Sequence, residues 1–234
     1  MWWLFASACG FLPVEGSGAA VTWSGSVLDD PYLPDPAAPL RGATLRALDD
    51  AGDTLAESDV LDDASGSHRL TLPGGVPVWL HIDGPAHVPV AIAGTAPRTD
   101  ALWFSGVLRG RRPDLLRAEL DAFASLAGAA PLDGPAEGRS ILRVEALDPA
   151  AFAGATLSVI DADGESPPVL RLRAGPDGAA VAATIDEPAA LLLVGGLAPG
   201  PWVATLRSAT GAAVEAAATG EGPTLFTLPS VSLP

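Results

Sequence analysis

The stretch Gly42-Ala43-Thr44-Leu45-Arg46-Ala47-Leu48-Asp49-Asp50-Ala51-Gly52 decides how this chain is read, because it returns. Gly154-Ala155-Thr156-Leu157 repeats its first four residues 112 positions later, and the same offset carries Leu48 onto Ile160, Asp49 onto Asp161, Gly52 onto Gly164 and Gly66 onto Gly178. One shared tetrapeptide is within chance for a chain rich in alanine and glycine. Several landmarks in one ungapped register point instead to two copies of a small β module.

Working outward from the repeat, the pattern is that of strands. Val21, Trp23, Gly25 and Val27 alternate, as do His68, Leu70 and Leu72, and side chains of a strand point to opposite faces in turn. The proline- and aspartate-rich residues 29–39 read as a loop, since proline lacks the ladder N–H. Asp49 to Gly52 reads as a turn. Further strands are expected at 43–48, 54–60, 67–72, 76–82, 87–92 and 102–108. The first module therefore spans 20–108. The second spans 140–234, with strands at 141–147, 155–160, 169–173, 179–185, 190–194, 202–208, 212–218 and 224–228. Turn signals about every 8–12 residues are the spacing of an antiparallel sandwich.

Residues 109–139 join the modules. Pro113 suits the first turn of a helix, and Leu116, Leu120, Phe123 and Ala127 recur on one helical face. Arg117 and Asp121 form an i,i+4 pair, and Gly128 can end the helix in the left-handed conformation. A helix over 113–127 follows, expected to pack on one sheet and fix the modules relative to each other.

Composition narrows the function classes. The chain has 234 residues, 48% of them hydrophobic, and a net charge of −15. Such a field repels a nucleic-acid backbone, so nucleic acid is not expected as a partner. All 13 basic residues are arginine, and lysine, asparagine and glutamine are missing. Arg109, Arg111 and Arg112 concentrate positive charge before the helix, either for an anionic partner or as a solvated segment pairing with nearby acids. Cys9 is the one cysteine, which excludes an intramolecular disulfide and a cysteine-based zinc site.

The first ten residues are Met1-Trp2-Trp3-Leu4-Phe5-Ala6-Ser7-Ala8-Cys9-Gly10. An apolar run followed by small residues and a cysteine resembles a bacterial lipoprotein signal. That resemblance implies lipidation at Cys9, with residues 1–19 as signal and tether and an address in the cell envelope, membrane-anchored and either periplasmic or surface-exposed. A short apolar N-terminus with an incidental cysteine is the plainer reading of the same residues.

A second resemblance rests on longer motifs. Gly25-Ser26-Val27, Pro39-Leu40-Arg41-Gly42-Ala43-Thr44-Leu45, the acidic turn Asp49 to Gly52 and Gly66-Ser67-His68-Arg69-Leu70 are similar to the pattern of carboxypeptidase regulatory-like domains, a transthyretin-like (prealbumin-like) sandwich. His68 departs from it, standing where these domains carry tyrosine or phenylalanine. In the second module Gly196-Leu197-Ala198-Pro199-Gly200-Pro201-Trp202 is similar to a turn and strand of the same fold. The resemblance implies an all-β protein of two transthyretin-like antiparallel β-sandwiches joined by one short α-helix. Function does not follow from such a fold, although domains of this kind mostly act as accessory, adhesive or spacing units.

Candidate chemistry is sparse. The chain has no HExxH and no Gly-x-Ser-x-Gly segment, so the motifs of zinc peptidases and of nucleophile-elbow hydrolases are missing. Its terminus differs from that of the transthyretin-like hydroxyisourate hydrolases. No catalytic residue and no resident metal is assigned. Asp161, Asp163 and Glu165, with Asp62 and Asp63 in the first module, are the candidate cation ligands, because calcium takes several converging oxygens; an EF-hand loop counted from Asp161 fails at Leu172, and acidic turns that cap strands are the plainer reading. His68 replaces a core aromatic. His81 and His87 flank Asp83 as a conceivable metal site, although alternation turns His81 outward. Trp79 and Trp103 are read as outward-facing, so that Trp79, His81 and Trp103 are candidate ligand contacts on which a sugar can stack. The reading is a non-enzymatic, lipid-anchored envelope protein that acts as a spacer or protein-binding module. The alternatives are a carbohydrate- or calcium-binding surface module and an accessory subunit of a secreted enzyme.

Overall fold

In the computed structural model of the chain, the described residues are 19–29, 40–59, 67–96, 101–102, 108–109, 111–175, 180–220 and 222–233. The protein is all-β with one α-helix among the described residues, and it separates into two compact units, the first ending at Pro113 and the second beginning at Asp114.

The first unit holds β1 (Ala20–Leu28), β2 (Thr44–Leu48), β3 (Thr54–Asp59), β4 (Ser67–Pro73), β5 (Pro77–Asp83), β6 (Val90–Thr95), β7 (Ala101–Leu102) and β8 (Leu108–Arg109). One sheet pairs β4 antiparallel to β1, while β7 and β8 run parallel to β1. The other sheet has the order β6-β5-β2-β3. Their facing residues make one core. Trp23 and Val27 of β1 and Leu70 and Leu72 of β4 meet Leu45 and Ala47 of β2 and Val78, Leu80 and Ile82 of β5. The alternation expected for β1 and β4 is what buries these faces.

The second unit begins with α1 (Pro113–Leu126), then has β9 (Ser140–Ala146), β10 (Thr156–Ile160), β11 (Val169–Ala174), β12 (Ala180–Ala182), β13 (Leu191–Leu197), β14 (Pro201–Arg207), β15 (Ala213–Thr219) and β16 (Leu225–Val231). One sheet has the order β12-β11-β13-β9-β16, with β16 parallel to β9, and the other the order β10-β14-β15. Trp202 of β14 meets Phe226 of β16 edge to face across the sandwich, with ring centroids 5.1 Å apart. Both rings are almost wholly buried.

The repeat register survives in three dimensions. β2 and β10 start and stop at positions 112 apart. Gly42 and Gly154 precede them with φ of 68° and 71°, a left-handed conformation that favours glycine. The carbonyls of Leu40 and Phe152 accept the N–H of Ala43 and Ala155, and all four residues are buried.

One strand breaks the correspondence. β3 follows β2 and pairs with it, whereas β11, its sequel to β10, pairs with β13 in the opposite sheet. Pro167 and Pro168 stand at the positions aligned with Leu55 and Ala56 of β3. Without N–H groups, two successive prolines cannot take up a ladder there, and the chain crosses to the other sheet.

The helix conforms to its sequence pattern with a small rotation. Its buried residues are Leu116, Leu120 and Ala124, spaced four apart, while Phe123 is half-buried. Gly128 has φ 61°. The N–H groups of Gly128 and Ala129 return to the carbonyls of Ser125 and Ala124 at 3.1 and 2.9 Å, a Schellman end. Arg117 pairs with Asp121 at 2.8 Å as expected, and also with Glu137 at 2.9 Å. Arg143 of β9 reaches Glu119 at 3.2 Å, seating the helix on the second unit.

Strand limits differ at several places: the strands expected at 190–194 and 224–228 run on to Leu197 and Val231, residues 103–107 of the expected 102–108 strand lie outside the described residues, and two strands are shorter than expected. The expected strand at 87–92 begins only at Val90, because His87 belongs to a turn whose N–H returns to Gly84 at 3.1 Å. The expected 179–185 strand is confined to Ala180–Ala182; beyond it Glu187 accepts the N–H and hydroxyl of Thr184 in a turn.

Candidate functional site

The acidic turns are built alike in the two units. After β2, Asp49 Oδ1 accepts the N–H groups of Ala51 and Asp53, both at 2.9 Å, and Gly52 takes φ 91°. After β10, Asp161 Oδ1 accepts those of Asp163 and Glu165, both at 3.0 Å, and Gly164 takes φ 76°. An aspartate that bonds its own following backbone is the usual device of such turns. Asp161 goes further, its Oδ2 accepting the N–H of Ala198 at 2.8 Å in a buried bond. Burial opposes its ionisation, but the N–H groups of Ala198, Glu165 and Asp163 and the charge of Arg139 outweigh it, so the carboxyl stays below its ordinary value.

Both Asp161 oxygens are therefore engaged by backbone N–H groups. Asp163 meets Arg139 at 3.4 Å, and Glu165 is exposed. Among the described residues no group of three or more histidine, cysteine, aspartate or glutamate side chains is placed to hold a metal ion. Asp62, Asp63, Trp103 and Cys9 lie outside the described residues.

Trp79 and His81 differ from their expected outward orientation. They are 4% and 8% exposed. β5 runs between β2 and β6 in its sheet and is buried at five successive positions, 78–82. A strand covered on both faces no longer sorts inside from outside by alternation, so neither residue presents a sugar-stacking surface. His81 Nδ1 lies 3.4 Å from Arg46 Nη2 on the neighbouring strand. His87 turns to other partners, with Nε2 2.8 Å from Asp29 Oδ1 and Nδ1 2.8 Å from the Pro85 carbonyl. The two histidines are thus engaged separately.

His68 is buried, as expected of a residue in a core aromatic's place, opposite Gly25 of β1. Among the described residues neither ring nitrogen has a hydrogen-bond partner. Burial disfavours the imidazolium and lowers the pKa from 6.5 to about 4.

Arg171 carries an arrangement that no sequence motif announces. From β11 its guanidinium donates to the carbonyls of Phe152 and Ala155, both at 2.7 Å, and of Ile185 and Thr184 at 3.3 and 3.4 Å. Desolvation lowers its pKa, yet the fork of donors matches converging carbonyls. It fastens the entry of β10 to the strand that has left it.

A groove of about 610 Å³ opens in the second unit between the segment after α1 and the Pro167-Pro168 segment, with Leu170, Gly195 and Gly196 among its lining residues. Its geometry depends on Gly195, where a Cβ would stand 2.9 Å from Leu132 Cβ, and on the 2.8 Å bond from Gly196 N–H to Asp133 O. Asp133 and Glu165 give it two acidic side chains against proline, alanine and leucine walls. Sequence reading missed the groove, because its sides come from segments more than thirty residues apart.

No described helix is long and apolar enough to cross a membrane. No family model matches the chain, and no curated protein matches it. Among solved structures it is similar to a chain described as "Biofilm associated protein - BSP domain", at 14% identity and a TM-score of 0.19, over 76% of this chain and 25% of that one. The protein thus spans about a quarter of the length of the solved chain it matches.

Proposed function

We propose that this chain is a non-enzymatic envelope protein, anchored through a lipid on Cys9, whose two β units belong with carboxypeptidase regulatory-like sandwiches and serve as a spacer and protein-binding module. The observation that carries the reading is how the conspicuous polar groups are used. Asp49 and Asp161 hold turns, Arg171 holds four carbonyls, and His87 pairs with Asp29. These groups build scaffold twice over rather than converging on one reacting centre. The groove beside Pro167 supplies apolar walls with an acidic rim, a surface that suits a protein segment.

The experiment is the intact mass of the protein from membranes of its host, beside a Cys9→Ala variant. Cleavage before Cys9 with an added diacyl or triacyl mass, lost in the variant, supports the anchor. An unmodified chain in the soluble fraction removes it. Crosslinking in the same membranes then tests for the protein partner.

A further inference from the structure

The departure of β11 leaves the edge of β10 open. In the first unit β3 covers the equivalent edge of β2 over five paired positions. In the second unit β10 ends its sheet, and among the described residues no strand pairs with its outer side. An open edge is a template for another strand, and proteins blunt such edges with charge, proline or a bulge. β3, at the edge of its own sheet, carries Glu57 and Asp59. Thr156-Leu157-Ser158-Val159-Ile160 carries neither charge nor proline. Its flank is apolar as well, since Ile160 and its cross-strand partner Val203 are 58% and 48% exposed.

We infer that β10 is a strand-addition site and that its occupant is β10 of a second copy of this chain, paired antiparallel about Ser158. This goes beyond the proposed envelope role and does not depend on the lipid anchor. The choice of occupant follows from self-complementarity, and charge limits where two copies can meet. Two copies with net charge −15 repel over most of their surface, so a contact between them favours a neutral stretch. In the antiparallel register about Ser158, Thr156 faces Ile160, Leu157 faces Val159, and Asp161 faces Ala155 instead of another acid. The β-branched pair Thr156–Ile160 and the aliphatic pair Leu157–Val159 favour sheet pairing, and the contact is isologous, as a two-fold dimer requires. Arg171 at the Ala155 carbonyl and the prolines beyond Asp161 confine the ladder to about five residues, so the dimer is weak.

Sedimentation velocity of the purified full chain, from roughly 5 to roughly 500 μM, spans the range in which such weak contacts populate. The expected result is a monomer that shifts toward dimer as concentration rises. Ser158→Glu and Ser158→Arg should each stay monomeric, because like charges then face each other across the two-fold axis. An equimolar mixture of the two should recover the dimer. Melting temperature and near-ultraviolet circular dichroism check that each variant is folded, with Ser158→Asp replacing Ser158→Glu, and Ser158→Lys replacing Ser158→Arg, where either is not. A chain that stays monomeric throughout, a dimer that Ser158→Glu leaves intact, or a mixture that fails to recover it overturns the inference.

Discussion

Asp161 Oδ2 accepts the N–H of Ala198 at 2.8 Å, and so ties the turn after β10 to the turn that leads into β14. Among the described residues Asp49, its counterpart, accepts N–H groups only from its own turn. Removing the Asp161 carboxylate leaves a buried N–H unsatisfied besides opening the turn. Asp161→Ala should lower stability by about 2–3 kcal/mol and Asp49→Ala by about 1 kcal/mol. Urea titration of both variants checks this, and equal losses would show that the bond to Ala198 adds nothing. Because the folded pKa of Asp161 is depressed, its contribution is present above the unfolded carboxyl value and is lost as pH falls through the folded one.

His68 titrates in the other sense. Its pKa falls from 6.5 to about 4 in the folded chain, so below pH 6.5 the unfolded state binds a proton that the native state refuses. Stability therefore declines from pH 6.5 toward pH 4 and levels off below it. The loss is on the order of 2–3 kcal/mol once partial solvent relaxation is allowed for. His68→Phe should remove this slope, and should stabilise most at the acid end. Urea midpoints for both proteins at pH 7, 5.5 and 4.5 test it, and parallel curves would refute it.

Gly42 and Gly154 share a left-handed backbone but not a neighbourhood. A Cβ on Gly154 would stand 2.9 Å from Ala209 Cβ, whereas one on Gly42 would meet Pro85 Cγ at 3.4 Å. Both alanine substitutions bear the left-handed penalty of about 1–2 kcal/mol, and Gly154→Ala should cost about 1 kcal/mol more through the clash. Adding Ala209→Gly should recover that increment for Gly154→Ala and nothing for Gly42→Ala. Melting temperatures of the four variants decide it.

Much of this architecture is legible in the chain. The 112-residue register locates β2 and β10 to within one residue, because an alternating strand and an aspartate–glycine turn leave little freedom at either end. The helix and its Gly128 end follow from local rules. What escaped has one common cause, namely dependence on remote residues. Trp79 and His81 alternate like an exposed strand, yet β5 is covered on both faces, which no local period records. His87 finds Asp29 across 58 positions, and Arg171 gathers carbonyls from two separate turns. Pro167 and Pro168 were visible, but their effect depends on β13 offering β11 another edge.

The parallel partnership of β9 and β16 bears on load. The first and last strands of the second unit lie side by side and point the same way, joined from Ile141–Leu225 to Ala146–Val231. Tension drawn through the two ends of the unit pulls β9 from its start and β16 from its finish. The bonds between them are then strained along the strand axis together, in shear, and cannot open one after another like a zip. β1 with β7 and β8 repeats this geometry in the first unit. In either unit a pull on the two ends would therefore load a parallel pair in shear.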